Sequence, residues 1–177
     1  MRDGRRRDIA RALIRVLAAH GQAGVTIGAV AADAGVAPGL VHHYFADKQE
    51  LYAVAMDTLV AQFRRRTADR RRGGGDLSAY ADAALALDSS ADLVAARAWV
   101  GLFAKALSDP VLFQKLRRVL DGEVAAIQHH SGGGLSTGAA STVLSFVVGA
   151  LVFGAFAPRR AAGFAAPALR RILENLD

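Results

Sequence analysis

Apolar residues recur along this chain at helical spacing from one end to the other. Ile9, Leu13, Val16 and Leu17 form one stripe. Ile27, Val30, Ala31 and Ala34 form a second at i, i+3, i+4 and i+7, and Leu51, Val54, Ala55, Leu59 and Phe63 form a third. The first predicts a helix from about Arg5 to His20 that stops at Gly21, with Gly24 in the following loop. Thr26 is the expected N-cap of the second.

The stretch Gly35 to Lys48 is the most informative. Gly35 can hold the positive φ that ends a helix, and Pro38, lacking an N–H, suits the first turn of the next one. A helix, a turn and a short helix result. In the short helix Leu40, Val41, Tyr44 and Phe45 face the core, while Pro38, Gly39, His42 and His43 face away. An exposed, nearly uncharged helix face needs a reason, and reading DNA is one. Asp47-Lys48-Gln49-Glu50 then opens a fourth helix with a capping box. That helix is expected to continue to about Arg66. A lysine at a helix start opposes the helix dipole, so Lys48 is better suited to an anion that also meets the terminal amides, such as a DNA phosphate.

Further along, Leu77, Tyr80, Ala84 and Leu87 predict a short helix. Trp99, Leu102, Phe103, Ala106 and Leu107 predict another, capped by Ser90 or Asp92. Asp109-Pro110 is an N-cap followed by proline at the first helical position, opening a helix that ends near His130. Ser131 to Gly134 is a connector, since no strand precedes it and no Gly-Lys-Ser/Thr closes it. From Ser136 to Ala157 the chain is apolar on every side, so this helix must be covered by lipid, by the rest of the chain or by a second copy. Ser136, Thr137, Ser141, Thr142 and Ser145 interrupt the apolar run and favour protein over lipid. A last stripe runs from about Ala165 through Leu169, Ile172, Leu173 and Leu176.

Charge sharpens the picture. The net charge is +6 over 177 residues. Thirteen basic and seven acidic side chains fall up to Arg72, against nine and nine from Gly73 onward, so the whole excess lies in and beside the helix-turn-helix. That distribution suits a polyanionic partner, though an ordinary solvated surface would show it too. Arg2 to Arg7 form a basic arm, and Arg64 to Arg72 read as a solvated helix end running into Gly73 to Gly75. The chain has no cysteine, which excludes disulfides, thiolate metal sites and a cysteine nucleophile. The N-terminus does not read as a secretory signal, because the arginines lead into an amphipathic helix.

The spaced pattern Thr26-Ile27, Ala31-Ala32-x-Ala34-Gly35-Val36, Gly39, then Tyr44-Phe45-x-x-Lys48-x-x-Leu51 resembles the DNA-binding domain of the TetR family of bacterial transcriptional regulators. The resemblance covers roughly the first third of the chain; the remainder is similar only in layout. It implies an all-α fold, with a three-helix DNA-binding head over residues 1–46 and a helical effector-binding and dimerisation body over 47–177. It assigns Pro38, Gly39, Leu40 and His42 to base edges, and Thr26, His43, Tyr44 and Lys48 to the DNA backbone. Ala37 stands where Ser or Thr usually caps the recognition helix, and Gly28 where a larger polar residue is frequent, so two phosphate donors are missing.

The resemblance further implies a cytoplasmic homodimer on a palindromic operator, a repressor released by a small-molecule effector, with no membrane partner and no cofactor. Phe63, Tyr80, Trp99, Phe103, Leu107 and Phe113 are the candidate pocket residues, each of which would serve equally as core. Val143, Val147, Gly149, Ala150, Leu151, Gly154, Leu169, Ile172 and Leu173 are the candidate dimer interface. An uncharacterised helical enzyme and a membrane-associated helical protein are the alternatives. For the first there is no Gly-x-Ser-x-Gly elbow, His-Glu-x-x-His helix or paired-carboxylate motif, and for the second only the stretch 136–157 speaks.

Overall fold

The computed structural model of the chain describes residues 2–71, 77–85, 89–131 and 134–173. Among these residues every regular element is a helix: α1 (Arg2–Gly24), α2 (Ile27–Ala34), α3 (Pro38–Tyr44), α4 (Lys48–Arg71), α5 (Leu77–Ala84), α6 (Ser90–Ala106), α7 (Pro110–His130), α8 (Thr137–Phe156) and α9 (Pro158–Leu173). They form two compact units. The first holds residues 1–61 and 94–115, the second 62–93 and 116–177. The chain passes between the units within α4, α6 and α7.

In the first unit α1 packs on α2 and α2 on α3. The core takes Ile9, Leu13 and Leu17 from α1, Val30 and Ala31 from α2, Val41 from α3, and Leu51, Tyr52, Met56 and Leu59 from α4, with Leu102 and Leu112. The helix starts obey local chemistry. Thr26 Oγ1 accepts the Ala29 N–H at 3.0 Å. Gly35, at φ 66° and ψ 38°, closes α2. The Val36 N–H reaches the Ala31 carbonyl and the Gly35 N–H that of Ala32, so two of the last carbonyls of the helix are satisfied by the turn itself. Asp109 Oδ1 accepts the Leu112 N–H at 3.1 Å and starts α7 as expected.

Some boundaries differ from the sequence reading. The helical path of α1 breaks at Gly21 (φ 63°), where the sequence placed its stop, and a short further helical stretch to Gly24 follows in place of the expected loop. Arg2 to Arg7 do not make an arm, since they belong to α1. α4 continues past Arg66 to Arg71, and near its expected end Arg64 Nε lies 2.7 Å from Glu123 and Arg66 Nη1 2.7 Å from Asp92. The expected glycine loop at 73–75 lies outside the described residues. α6 is capped by Ser89, whose Oγ accepts the Asp92 N–H at 3.1 Å while Asp92 accepts the Ser89 N–H at 3.2 Å. This is a reciprocal capping pair one residue before the expected cap.

In the second unit α9 packs on both α8 and α5, and Arg170 pairs with Asp82 at 2.6 Å. α8 is long and apolar enough to cross a membrane by length and composition alone. Here Ala140, Val143, Leu144, Val147, Ala150, Leu151, Gly154 and Ala155 bury one face of it inside the chain. The other face carries Ser145, Gly149, Phe153 and Phe156, all exposed.

The left-handed turn at Gly35 generates a test. Gly35→Ala places a Cβ at φ 66° and should lower stability by about 1 kcal/mol in urea denaturation. A variant as stable as the parent would mean that the turn relaxes to a conformation open to any residue.

Candidate nucleic-acid interface

α3 is only seven residues long and Ala37 gives it no side-chain cap, so its position depends on what holds its ends. The Gly35 turn and Pro38 fix the start. At the other end Arg6 Nη1 donates to the Tyr44 carbonyl at 2.7 Å, satisfying an acceptor that the helix leaves open and placing a cation at its negative pole. The same guanidinium lies 4.7 Å from the Phe45 ring centroid and pairs with the Glu50 carboxylate. Glu50 Oε2 accepts the Ala46 N–H at 2.7 Å, and Asp47 Oδ1 accepts the Glu50 N–H at 2.7 Å. The capping box therefore reaches one residue further back than its usual partner and joins α1, α3 and α4.

Anchored in this way, α3 buries Val41, with Phe45 buried just beyond its end, and half-buries Leu40 and Tyr44. Ala37, Pro38, Gly39, His42 and His43 are exposed. His43 packs edge-on against Tyr44, with ring centroids 5.3 Å apart. Thr26 and Lys48 are exposed as well, and the Lys48 ammonium donates to the Val25 carbonyl, immediately before Thr26. The lysine thus bridges the start of α4 to the start of α2. The surface holds hydroxyl, imidazole and ammonium donors with little apolar bulk, a composition suited to phosphates and base edges.

The basic surface is narrower than the charge count suggests. Arg6 and Arg15 are tied within the first unit, Arg15 Nε lying 2.8 Å from Asp33. Arg64 and Arg66 are ion-paired in the second. Nothing local in the sequence marks Arg6 as the residue that fixes α3, because its partners lie 38 and 44 positions away.

The six candidate pocket residues are divided between the two units. Trp99 and Phe103 stack in the first unit with centroids 5.7 Å apart, whereas Phe63 and Tyr80 meet edge-on at 6.2 Å in the second. Leu107 is 82% exposed and Phe113 is also exposed, so neither lines an interior space here. They lie on either side of Asp109, which caps α7. In the second unit the Tyr80 hydroxyl is buried with no hydrogen-bond partner among the described residues. Burial pushes its ionisation up, and the nearby Glu123 charge pushes it further, so it stays a protonated donor.

The candidate interface residues divide by their burial within the single chain. Val143, Val147, Ala150, Leu151, Gly154 and Leu169 are buried within the single chain, where α8 and α9 pack against their own unit. Gly149 is exposed, and Ile172 and Leu173 are half-buried. Among the described residues of this unit the exposed large apolar side chains are Phe153, Phe156 and Phe164, with the first and last in edge-on contact at 5.7 Å.

Comparison with known proteins bears on the same stretch. Residues 9–55 match the family model described as bacterial regulatory proteins, tetR family. The HTH-type transcriptional regulator BetI of Stenotrophomonas maltophilia is 31% identical over 122 residues, which are 66% of this chain and 61% of that regulator. The chain therefore spans about three fifths of that curated relative. Among solved structures, a transcriptional regulator from Rhodococcus sp. Rha1 is similar at a TM-score of 0.86 and 27% identity, covering 97% of this chain and 95% of the other. The multidrug binding protein EbrR complexed with imidazole is similar in fold at a TM-score of 0.72 and 22% identity, covering 95% and 94%.

The Glu50 cluster gives a pH-dependent prediction. The Arg6 hydrogen bond, then the Ala46 amide, hold the Glu50 carboxyl below its ordinary 4.5, against a smaller desolvation effect. A carboxyl depressed on folding stabilises the protein above its unfolded pKa, and that contribution disappears as pH falls through the folded value. Glu50→Gln should therefore lower the urea midpoint at pH 7 and approach the parent below about pH 4. A difference that stays constant with pH would assign the effect to packing.

Proposed function

Because the chain belongs to the TetR family of bacterial regulatory proteins, we propose that it is a sequence-specific DNA-binding transcriptional regulator. The exposed face of α3, held in place by the Gly35 turn and the Arg6–Glu50 cluster, carries this reading. On it the head, residues 1–46, enters the major groove with Pro38, Gly39, Leu40 and His42 toward base edges. A neutral imidazole at His42 can donate to guanine O6 or N7. Thr26, His43, Tyr44 and Lys48 meet the backbone. The Thr26 hydroxyl still has its proton to donate while its oxygen caps α2, and Lys48 retains two N–H groups beyond the one on Val25. Ala37 contributes position only.

One short helix makes few base contacts, so the regulator acts as a homodimer on a palindrome, with half-sites separated by about 34 to 36 Å or a multiple of a turn. Residues 47–177 supply the dimer and effector functions. The surface offered for the second copy is the aromatic patch of Phe153, Phe156 and Phe164, which supports the dimer better than the buried face does. A small apolar or amphipathic effector releases the repressor from DNA in the cytoplasm. EbrR, similar in fold, is a multidrug binding protein complexed with imidazole, which supports a small-molecule effector here.

Selection of duplexes from a random library by the purified full chain tests the central claim. One palindromic motif is expected; its absence would remove sequence-specific regulation. On the selected site Lys48→Ala should weaken binding at all sequences alike and reduce the slope of log affinity against log salt by about 1. An unaltered slope would take Lys48 off the phosphates. Phe156 is 78% exposed, so Phe156→Asp should leave the fold intact and shift the dimer toward monomer in analytical ultracentrifugation. Persistence of the dimer would move the interface away from this patch.

A further inference from the structure

Within the first unit a cleft of about 340 Å³ is lined by Gln22, Lys48, Gln49, Tyr52, Lys105 and Asp109. Its volume is at the lower end of small-ligand sites, enough for a small organic acid or phosphate ester. We propose that this cleft binds a small oxyanion, with Lys48 and Lys105 as its cationic contacts.

The polar groups of the cleft are ordered by one another before any ligand arrives. The Tyr52 hydroxyl donates to Gln22 Oε1 at 2.8 Å, and Gln22 Nε2 donates to the Gly101 carbonyl at 2.6 Å. Burial pushes the Tyr52 phenol up to about 12, so it remains a donor engaged on Gln22. Gln49 Nε2 donates to Asp109 Oδ1 at 2.7 Å, and the Lys105 ammonium lies 3.3 Å from Asp109 Oδ2. The Lys105 ammonium also lies 6.0 Å from the Tyr52 ring.

The one acidic group in the wall is already compensated. Asp109 is buried, caps α7 through the Leu112 amide, and receives Gln49 and Lys105 in addition. Each ammonium has three N–H groups, and one on each is accounted for, by Val25 on Lys48 and by Asp109 on Lys105. Two cations against one compensated carboxylate leave the lining with a single net positive charge and a surplus of donors. An apolar guest would strand those donors, and a cation would be repelled. A carboxylate or phosphate is the complementary chemistry.

Lys48 gives the cleft a consequence. On the DNA-binding reading, on which this step alone rests, an oxyanion bound to Lys48 competes with a DNA phosphate, and the operator weakens the anion by the same factor as the anion weakens the operator.

The test is calorimetric titration of the full chain, without DNA and at constant ionic strength, with glycerol 3-phosphate and with succinate. Saturable binding of at least one is expected; which one binds separates a phosphate ester from a carboxylate. Lys105→Gln should weaken it by about tenfold, Lys105→Arg should retain it, and Lys115→Gln, which removes a cation paired with Asp57 at 2.7 Å, should leave it unchanged. Binding of neither probe, equal loss in Lys115→Gln, or no loss in Lys105→Gln would overturn the proposal. Because no DNA is present, a failure here leaves operator binding standing, and a failure of the duplex selection leaves the anion site standing.

Discussion

The Glu50 carboxylate is the constraint on which the reading surface depends. A seven-residue helix is too short to be stable alone, and α3 has no side-chain cap. Its geometry must come from its neighbours. The Gly35 turn supplies one end, and the Arg6–Glu50 pair, with its bonds to the Tyr44 carbonyl and the Ala46 amide, supplies the other. Because Arg6 also covers the Phe45 ring, the ionic contact is continuous with the apolar core rather than an isolated surface pair. A surface salt bridge by itself adds little stability; here its larger effect is to fix where a helix points.

The same economy governs charge. The N-terminal positive excess looked like one footprint, yet Arg6, Arg15, Arg64 and Arg66 each have an acidic partner in the fold. Lys48 on the Val25 carbonyl, like Arg7 on the Asp3 carbonyl, has a partner that takes up a donor without compensating the charge. An ammonium in that state serves long-range attraction to phosphate better than a paired guanidinium, so the local distribution matters more than the net value.

What the sequence made legible was local. Thr26, Gly35, Pro38, Asp47 and Asp109-Pro110 act over three or four residues, and each stands in the expected local role, while Glu50 reaches the Ala46 amide rather than that of its cap. The exposed and buried sides of α3 follow from the same periodicity. Arg6 on Tyr44, Arg64 on Glu123 and Gln49 on Asp109 were not legible, since their partners are 38, 59 and 60 residues away and only the packed helices bring them together. The break of α1 at Gly21 was legible, because glycine takes the positive φ there without strain, whereas the short helical stretch beyond it to Gly24 was not.

α8 shows the limit most clearly. A helix apolar on every side has no stripe, so periodicity cannot say which face the chain itself will cover. The small residues Ala150 and Gly154 suggested close approach by a second copy, but they permit the packing of their own unit. What remains outside is Gly149, Phe153 and Phe156 on α8 with Phe164 on α9. Phe153 and Phe164 already satisfy each other edge to edge, so a partner gains most by covering Phe156 and the open rims of that pair. In a two-fold dimer the covering surface is the same patch on the second copy, which requires the patch to complement itself. On the proposed homodimer, Gly149 helps to meet that demand, because the open space there, where a Cβ would meet nothing within 4 Å, can receive a ring from the other chain.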